Sequence, residues 1–257
     1  MRYGRRSRVR AVVLAASLIA GPLVPVRAEL LEPQEIVRRA DRQRGIETPY
    51  RFRARIAAHA AEDGGDDDRG STVVEVRANG FAQQIVFVLE PIPGDVMLVT
   101  PDMLWLRPRR LHRLTRISPD LRLFSGASVS DVTSVDVLGR YSATLRPAAD
   151  AAGEYVVDLE AGADGTRYPR AVYRIRRDDF RPLEIEFLAA SGRSLKSVRY
   201  ADFAPVLGRT IPTRLIIQDH VYRDATTILL SDFQPVASAE AAAYGPEYLL
   251  ALPEGGR

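Results

Sequence analysis

The sequence contains no cysteine and only three histidines. The lack of cysteine excludes disulfide bonds, thiolate metal sites, a catalytic thiol and acylation at a lipobox cysteine. The histidines, His59, His112 and His220, lie in three separate segments, and none has the spacing that brings two imidazoles to one metal ion. We therefore expect neither a metal site nor a cofactor.

Motifs of the common enzyme classes are also missing. The patterns GxSxG, GxxxxGK[ST] and GxGxxG do not occur, which leaves hydrolase, P-loop and dinucleotide-binding functions without support. Glu184 and Glu186 share one face of a strand, as a general acid and base would. They alternate with Leu183, Ile185 and Phe187, so the solvent-facing side of that strand is the favoured explanation. We predict that the protein is not an enzyme and has no catalytic residue.

Positive charge is concentrated at the start of the chain. Residues 1–28 hold six arginines and no acidic residue, followed by an apolar run from Ala11 to Gly21 and by Val26 and Ala28 at cleavage-site positions. This pattern predicts a signal peptide cleaved after Ala28, with Sec export favoured over Tat. The apolar run is shorter than the roughly 20 residues of a membrane span. We expect residues 29–257 to form a single domain in the periplasm.

Without residues 1–28 the charge balance changes sign. The remaining chain has 30 basic and 33 acidic residues, a net charge of −3. Proteins that bind polyanions usually keep a basic balance in the folded domain. We therefore predict no nucleic-acid partner.

Most of the chain after residue 50 alternates with the period of a strand. The segment YRFRARIAAHA is an example, and about twelve such segments follow one another between Gly, Pro, Asn and Asp residues. Short amphipathic helices are predicted at EPQEIVRRADRQRG and near residues 128–138, and the Ala-rich tail is weakly helical. The pattern predicts a mainly β protein, either one large curved antiparallel sheet or two packed sheets.

Three strand segments are apolar without interruption: IVFVL, VMLV and MLWL. Such runs indicate strands that are covered on both faces or that line a cavity on one face. An apolar cavity binds acyl chains through buried area alone, at about 25 cal/mol per Å². The runs therefore favour a carrier of acyl chains.

An ordered series of segments resembles the outer-membrane lipoprotein-sorting family, the LolA-like periplasmic carriers. The series is DMLWLRPRRLHRLTRIS, LFSGASVSDVTSVDV, YPRAVYRIRRDDFRPLEIEFLAASGRSLKSVRYADF and RTIPTRLIIQD. The resemblance implies an incomplete antiparallel barrel with short helices as a lid. It also implies a periplasmic protein that binds lipid or lipoprotein acyl chains and delivers them toward the outer membrane, with an RND-type (MMPL-like) transporter as partner and transient membrane contact.

The candidate site residues fall into three sets. Apolar cavity candidates, for which ordinary core packing is the alternative, are Phe52, Ile56, Val74, Val76, Ile85, Phe87, Leu89, Met97, Val99, Leu104, Trp105 and Leu106. Alternation places Trp105 on the face opposite Leu104 and Leu106. Lid candidates are Val129, Val132 and Val135, and a basic rim is predicted at Arg107, Arg109, Arg110, Arg113 and Arg116. The rim supports an alternative function, an accessory protein that docks on an envelope transporter and carries no lipid.

Overall fold

The structure, a computed structural model, describes residues 31–60, 70–100, 103–118, 122–124, 127–128, 138–147, 153–162 and 168–253. The predicted signal peptide lies outside these residues. The helices are α1 (Pro33–Arg42), α2 (Ser238–Ala242) and α3 (Pro246–Ala251), with a short 3-10 helix at Leu138–Arg140. The strands are β1 (Tyr50–Ala60), β2 (Ser71–Asn79), β3 (Gln83–Glu90), β4 (Val96–Val99), β5 (Leu104–Arg107), β6 (Thr115–Ile117), β7 (Arg122–Phe124), β8 (Ala127–Ser128), β9 (Tyr141–Leu145), β10 (Glu154–Ala161), β11 (Arg170–Arg176), β12 (Pro182–Leu188), β13 (Ser194–Val206), β14 (Arg209–Asp219) and β15 (Asp224–Pro235).

Thirteen of these strands form one antiparallel sheet. Its order is β6-β5-β4-β3-β2-β1-β15-β14-β13-β12-β11-β10-β9, and β7 pairs with β8 separately. The edge strands β6 and β9 are not paired with each other, so the sheet is not closed. The structure thus confirms the mainly β, incomplete-barrel prediction and decides for one sheet over two packed sheets.

The sheet curves round helix α1. Gln34 at the start of α1 donates to the carbonyl of Tyr141 in β9 (3.1 Å), and Arg209 in β14 donates to the carbonyl of Arg42 at its end (3.4 Å). A flat sheet would separate β9 from β14 by five strand spacings, about 24 Å. The ten-residue helix is only about 15 Å long. We call the face that carries α1 the inner face.

Alternation along each strand decides which side chains reach the inner face. In β2, Val74 and Val76 are fully buried in the apolar cluster of the inner face, whereas Glu75 and Arg77 point to the other side and are partly exposed. Arg77 forms ion pairs there with Glu75 (2.8 Å) and Glu240 (3.3 Å). The period-two pattern of the sequence therefore separates an apolar inner face from a charged outer face.

The outer face of β3, β4 and β5 is covered by the C-terminal helices. Helix α2 contacts β2, and α3 contacts β4 and β5. Together they bury an outer cluster made of Ile85, Phe87, Val96, Leu98, Ala241, Tyr244 and Leu249. The apolar runs in β3 and β4 are thus buried on both faces, which is one of the two arrangements that the sequence predicted. The tail, predicted to be weakly helical with a frayed end, is held because Ala241, Tyr244 and Leu249 bury their side chains.

Among the described residues, no helix has the length and apolar character that a membrane-spanning segment requires.

Candidate functional site

The inner face carries one continuous apolar cluster. Its members come from α1 and from nearly every strand of the thirteen-stranded sheet, so the cluster is continuous from one side of the sheet to the other. Its fully buried members are Ala40, Ala54, Ile56, Val74, Val76, Ala78, Val86, Leu104, Ala127, Val157, Tyr173, Ile175 and Ile228. Half-buried side chains border it, including Val88, Leu106, Leu145, Leu215 and Leu230. This inner cluster is the candidate binding surface.

An aromatic wall forms part of the inner cluster where β1 meets β15. The ring of Phe52 stacks on Tyr50 at 5.6 Å between centroids and on Phe233 at 5.5 Å. Tyr50 and Phe52 are almost fully buried, at 2% and 3% exposure. Stacked aromatic rings of this kind form a large, flat apolar surface.

A buried ion pair lies at the C-terminal end of α1. The Arg44 guanidinium donates through Nε to the Asp41 carboxylate, and both side chains are 11% exposed. Burial acts against the charge of Arg44, but the Asp41 carboxylate more than offsets it, so the pKa of Arg44 lies above its usual value. The second guanidinium nitrogen, Nη2, is buried and has no hydrogen-bond partner among the described residues.

Two tyrosines of the inner cluster lie within the field of this ion pair. Tyr173 in β11 is fully buried, and Tyr200 in β13 is 8% exposed. Burial, with the neighbouring Tyr200 as a second cause, raises the pKa of the Tyr173 hydroxyl well above its usual range. Tyr173 therefore stays neutral, and its buried hydroxyl also lacks a hydrogen-bond partner in the described part of the chain.

Asp41, Arg44, Tyr173 and Tyr200 are not among the residues that the sequence predicts for the site. The sequence predicts an amphipathic helix over EPQEIVRRADRQRG, a pattern that does not distinguish Arg44 from the other arginines of that segment. An opposite charge three residues earlier was the available signal, since Asp41 and Arg44 are neighbours one helical turn apart.

The twelve apolar cavity candidates divide between the two faces of the sheet. Phe52, Ile56, Val74, Val76, Met97, Val99 and Leu104 belong to the inner cluster, and Leu106 packs against it. Ile85 and Phe87 belong to the outer cluster, and Leu89 and Trp105 pack against that cluster. The last four therefore do not share a wall with the other eight, because the C-terminal helices cover the outer face. The predicted alternation of Trp105 with Leu104 and Leu106 is confirmed.

One of the five arginines predicted for the basic rim, Arg107, is not at the surface. Arg107 is only 2% exposed, and it donates to the carbonyls of Leu252 (2.7 Å) and Pro253 (3.1 Å). Its inclusion in a surface rim is wrong, because the C-terminal segment folds over its side chain. Arg109, Arg110, Arg113 and Arg116 are exposed as predicted.

Arg116 and Trp105 lie together on the outer face. The guanidinium carbon of Arg116 is 5.3 Å from the centroid of the Trp105 ring, the geometry of a cation–π contact. The tryptophan is thus partnered by the next strand's arginine and by the outer cluster.

The lid candidates Val129, Val132 and Val135 lie outside the described residues. Within the described part, α1 is the helix that covers the inner face.

Glu184 and Glu186 lie on the outer face of β12, opposite the inward-facing Ile185. Glu184 is in register with Arg174 on one side and Arg199 on the other. Cross-strand pairs of opposite charge stabilise a sheet surface, so this ladder accounts for the glutamate. No group of three or more acidic, histidine or cysteine side chains in the described residues is arranged to hold a metal ion.

Solved structures share this architecture. A LolA superfamily protein from Nitrosomonas europaea is 25% identical with a TM-score of 0.70, over 80% of this chain and 94% of that one. An outer membrane lipoprotein-sorting protein domain from Vibrio parahaemolyticus is 16% identical with a TM-score of 0.68, over 84% and 97% of the two chains. A DUF1329 family protein from Desulfovibrio piger is 16% identical with a TM-score of 0.66, over 81% and 94%.

These likenesses define the class of the protein: its fold is that of the LolA superfamily, as the sequence resemblance predicted. A family model with the description "Uncharacterized protein" matches residues 80–250, and the chain belongs to that family. A comparison with curated proteins gives no match.

Proposed function

We propose that the protein is a non-enzymatic periplasmic carrier that binds lipid or lipoprotein acyl chains on its inner face and delivers them toward the outer membrane. One observation carries the proposal: the inner cluster is continuous across an unclosed sheet. An unclosed sheet can admit a long ligand between its edges without breaking strand pairing. The LolA-like fold, whose relative from V. parahaemolyticus is described as lipoprotein-sorting, supports this cargo class.

Binding of an acyl chain requires no reactive group. Each Å² of apolar surface removed from water contributes about 25 cal/mol, so a chain that buries a few hundred Å² reaches useful affinity after the costs of association. The inner cluster supplies apolar surface from residues on both sides of the β1–β15 seam.

Two adjacent leucines of β15 test which face binds. Leu230 packs half-buried against the inner cluster, whereas Leu229 is 45% exposed on the outer side. We expect Leu230→Glu to weaken binding of the apolar dye N-phenylnaphthylamine about tenfold or more, because the carboxylate must lose water when a ligand covers it. Leu229→Glu is the matched control and should bind like the unchanged protein. Circular dichroism spectra of both variants should match that of the unchanged protein, which checks that they fold.

Lipid extraction and native mass spectrometry of protein purified from periplasm provide the second arm. Bound acyl lipid is the expected result. Two results together would contradict the carrier function: no lipid binds, whichever lipid is offered, and the affinity for the dye is unchanged by the Leu230 substitution.

A second candidate function rests on the turn between β5 and β6. Arg109, Arg110 and Arg113 are exposed there, and Leu111 between them is 45% exposed. We propose this basic turn as the contact with an RND-type transporter, or as the whole role of an accessory protein without cargo. Charge reversal of the three arginines separates the two. Loss of partner binding with lipid retention unchanged assigns docking to the turn, and absence of any cargo favours the accessory role alone.

A further inference from the structure

Two hydrogen-bond donors are buried without an acceptor in the same part of the inner face. They are Nη2 of Arg44 and the hydroxyl of Tyr173, neither of which has a hydrogen-bond partner among the described residues. Helix α1 contacts β11, and Gln43 beside Arg44 donates to the carbonyl of Asp179 just beyond β11 (3.5 Å), so the end of α1 that leads to Arg44 lies beside the strand that carries Tyr173. A buried donor without a partner destabilises the fold, and a charged donor does so more strongly. An acceptor that reached both donors would remove this destabilisation.

The charge around these donors selects the kind of acceptor. The Asp41 carboxylate already neutralises Arg44 through an ion pair of which both side chains are 11% exposed. An incoming carboxylate or phosphate would therefore lose its water and meet Asp41 without gaining an unpaired cation. A neutral carbonyl oxygen accepts two hydrogen bonds and brings no charge.

The apolar surroundings agree with a carbonyl that belongs to an acyl chain. Tyr173 is flanked along β11 by Ala171 and Ile175, both in the inner cluster. On α1, which ends two residues before Arg44, Val37 and Ala40 are buried in the same cluster. A ligand atom placed at the two donors is thus continuous with apolar surface on both elements.

We propose that Arg44 and Tyr173 form a carbonyl-recognition site, in which Nη2 and the phenol hydroxyl both donate to the ester carbonyl oxygen of a bound acyl group. This inference rests on the proposed carrier function and adds to it the part of the cargo that is recognised. Asp41 positions the guanidinium by holding its Nε.

A pair of neutral probes tests the site. Methyl dodecanoate carries the ester carbonyl, and dodecyl methyl ether has nearly the same chain without it. The affinity of each probe is measured by its competition with N-phenylnaphthylamine for the chain of residues 29–257. We expect the ester to bind about tenfold more tightly than the ether, which corresponds to one or two hydrogen bonds of ordinary net strength.

Variants assign the preference to the two side chains. Tyr173→Phe removes one donor, and we expect the ester-to-ether ratio to fall several-fold while ether affinity is unchanged. Arg44→Gln should lower the ratio as well. The matched controls are Tyr248→Phe, which removes a hydroxyl that packs against the outer cluster, and Arg42→Gln, which removes a guanidinium that is 52% exposed. Both controls should keep the ratio of the unchanged protein.

A charged probe tests whether the site prefers a neutral acceptor. Dodecanoate should bind more weakly than its methyl ester, and Asp41→Asn should reverse this order because Arg44 then lacks its counter-charge. Equal binding of ester and ether, or a ratio that Tyr173→Phe leaves unchanged, would overturn the carbonyl site while leaving the carrier function intact. Failure of both probes to displace the dye would instead contradict the carrier function.

Discussion

Gly80, in the turn between β2 and β3, is a glycine whose identity the backbone constrains. Its φ of +56° lies in the left-handed region, and a Cβ there would be 2.5 Å from the carbonyl oxygen of Glu47. Both the conformation and the contact disfavour any other residue. We expect Gly80→Ala to lower the free energy of unfolding by about 2 kcal/mol or more, measured by urea denaturation.

Gly192, in the turn between β12 and β13, is the matched control. It also has a positive φ, +85°, but a Cβ there meets no atom within 4 Å. Gly192→Ala should therefore cost only the conformational part, about 1 kcal/mol. Equal losses at the two positions would show that the approach of the Glu47 loop to the turn is not as tight as described.

The donors that carry the proposed carbonyl site could not be found from the sequence. Tyr173 lies in an ordinary alternating strand, and nothing in YPRAVYRIRR distinguishes a tyrosine with a partner from one without. Arg44 is one of four arginines in the first helical segment, and only the fold decides that it is buried while Arg42 is exposed. Whether a polar atom is left without a partner depends on three-dimensional packing, which periodicity does not report.

At the scale of elements, Arg107 fastens the C-terminal helices to the sheet. Its guanidinium is the contact from β5 to the carbonyls of Leu252 and Pro253, just beyond α3. A hydrogen bond that involves a charged group contributes about 1.5–3 kcal/mol net of the hydrogen bonds to water that it replaces. We expect Arg107→Gln to increase hydrogen–deuterium exchange in residues 238–253 while exchange in β10–β14 stays as it was.

Arg109→Gln provides the comparison for this element, since that side chain is exposed two residues further on. It should leave exchange in residues 238–253 unchanged; its backbone N–H, which donates to Asp95 at 2.8 Å, is retained. Protection of α2 and α3 that survived the Arg107 substitution would mean that the outer cluster alone holds them.

The division of the apolar candidates between the two faces of the sheet shows which structural properties can be predicted from strand patterns. Uninterrupted runs such as VMLV left open whether a strand is covered on both sides or lines a cavity on one side, and β4 is buried on both. The face to which each side chain points follows from alternation. Which element covers each face is a long-range property: α1 lies on one side and helices more than 130 residues later along the chain lie on the other. Sequence patterns therefore predicted the burial but not the partner.

At the scale of the whole molecule, buried tyrosines set an alkaline limit to stability. Burial raises the pKa of Tyr173, and burial together with the charge of Glu240 raises that of Tyr244. The folded protein keeps these protons above about pH 10, whereas the unfolded chain releases them there. Their contribution to stability is complete below about pH 10 and is lost as the pH rises toward the folded-state values.

We therefore expect the urea midpoint to fall between about pH 9 and about pH 11, and the fall to be smaller in Tyr173→Phe. Ultraviolet titration of tyrosine absorbance should show a late-ionising group that disappears in the same variant. Ionisation of every tyrosine near the usual value in the folded protein would contradict this burial.

The position of β1 has a consequence for how the chain acquires its structure. β1 pairs with β2 on one side and with β15 on the other, so among the described strands the meander β1–β6 and the meander β9–β15 are hydrogen-bonded to each other only at this seam. Since β15 spans Asp224–Pro235, one edge of the eleven-residue β1 has no partner until nearly the whole chain has emerged. Pairing over such a sequence distance slows folding and leaves an open strand edge that invites aggregation. A chain ending before residue 224 would hold two half-sheets without the strand that joins them.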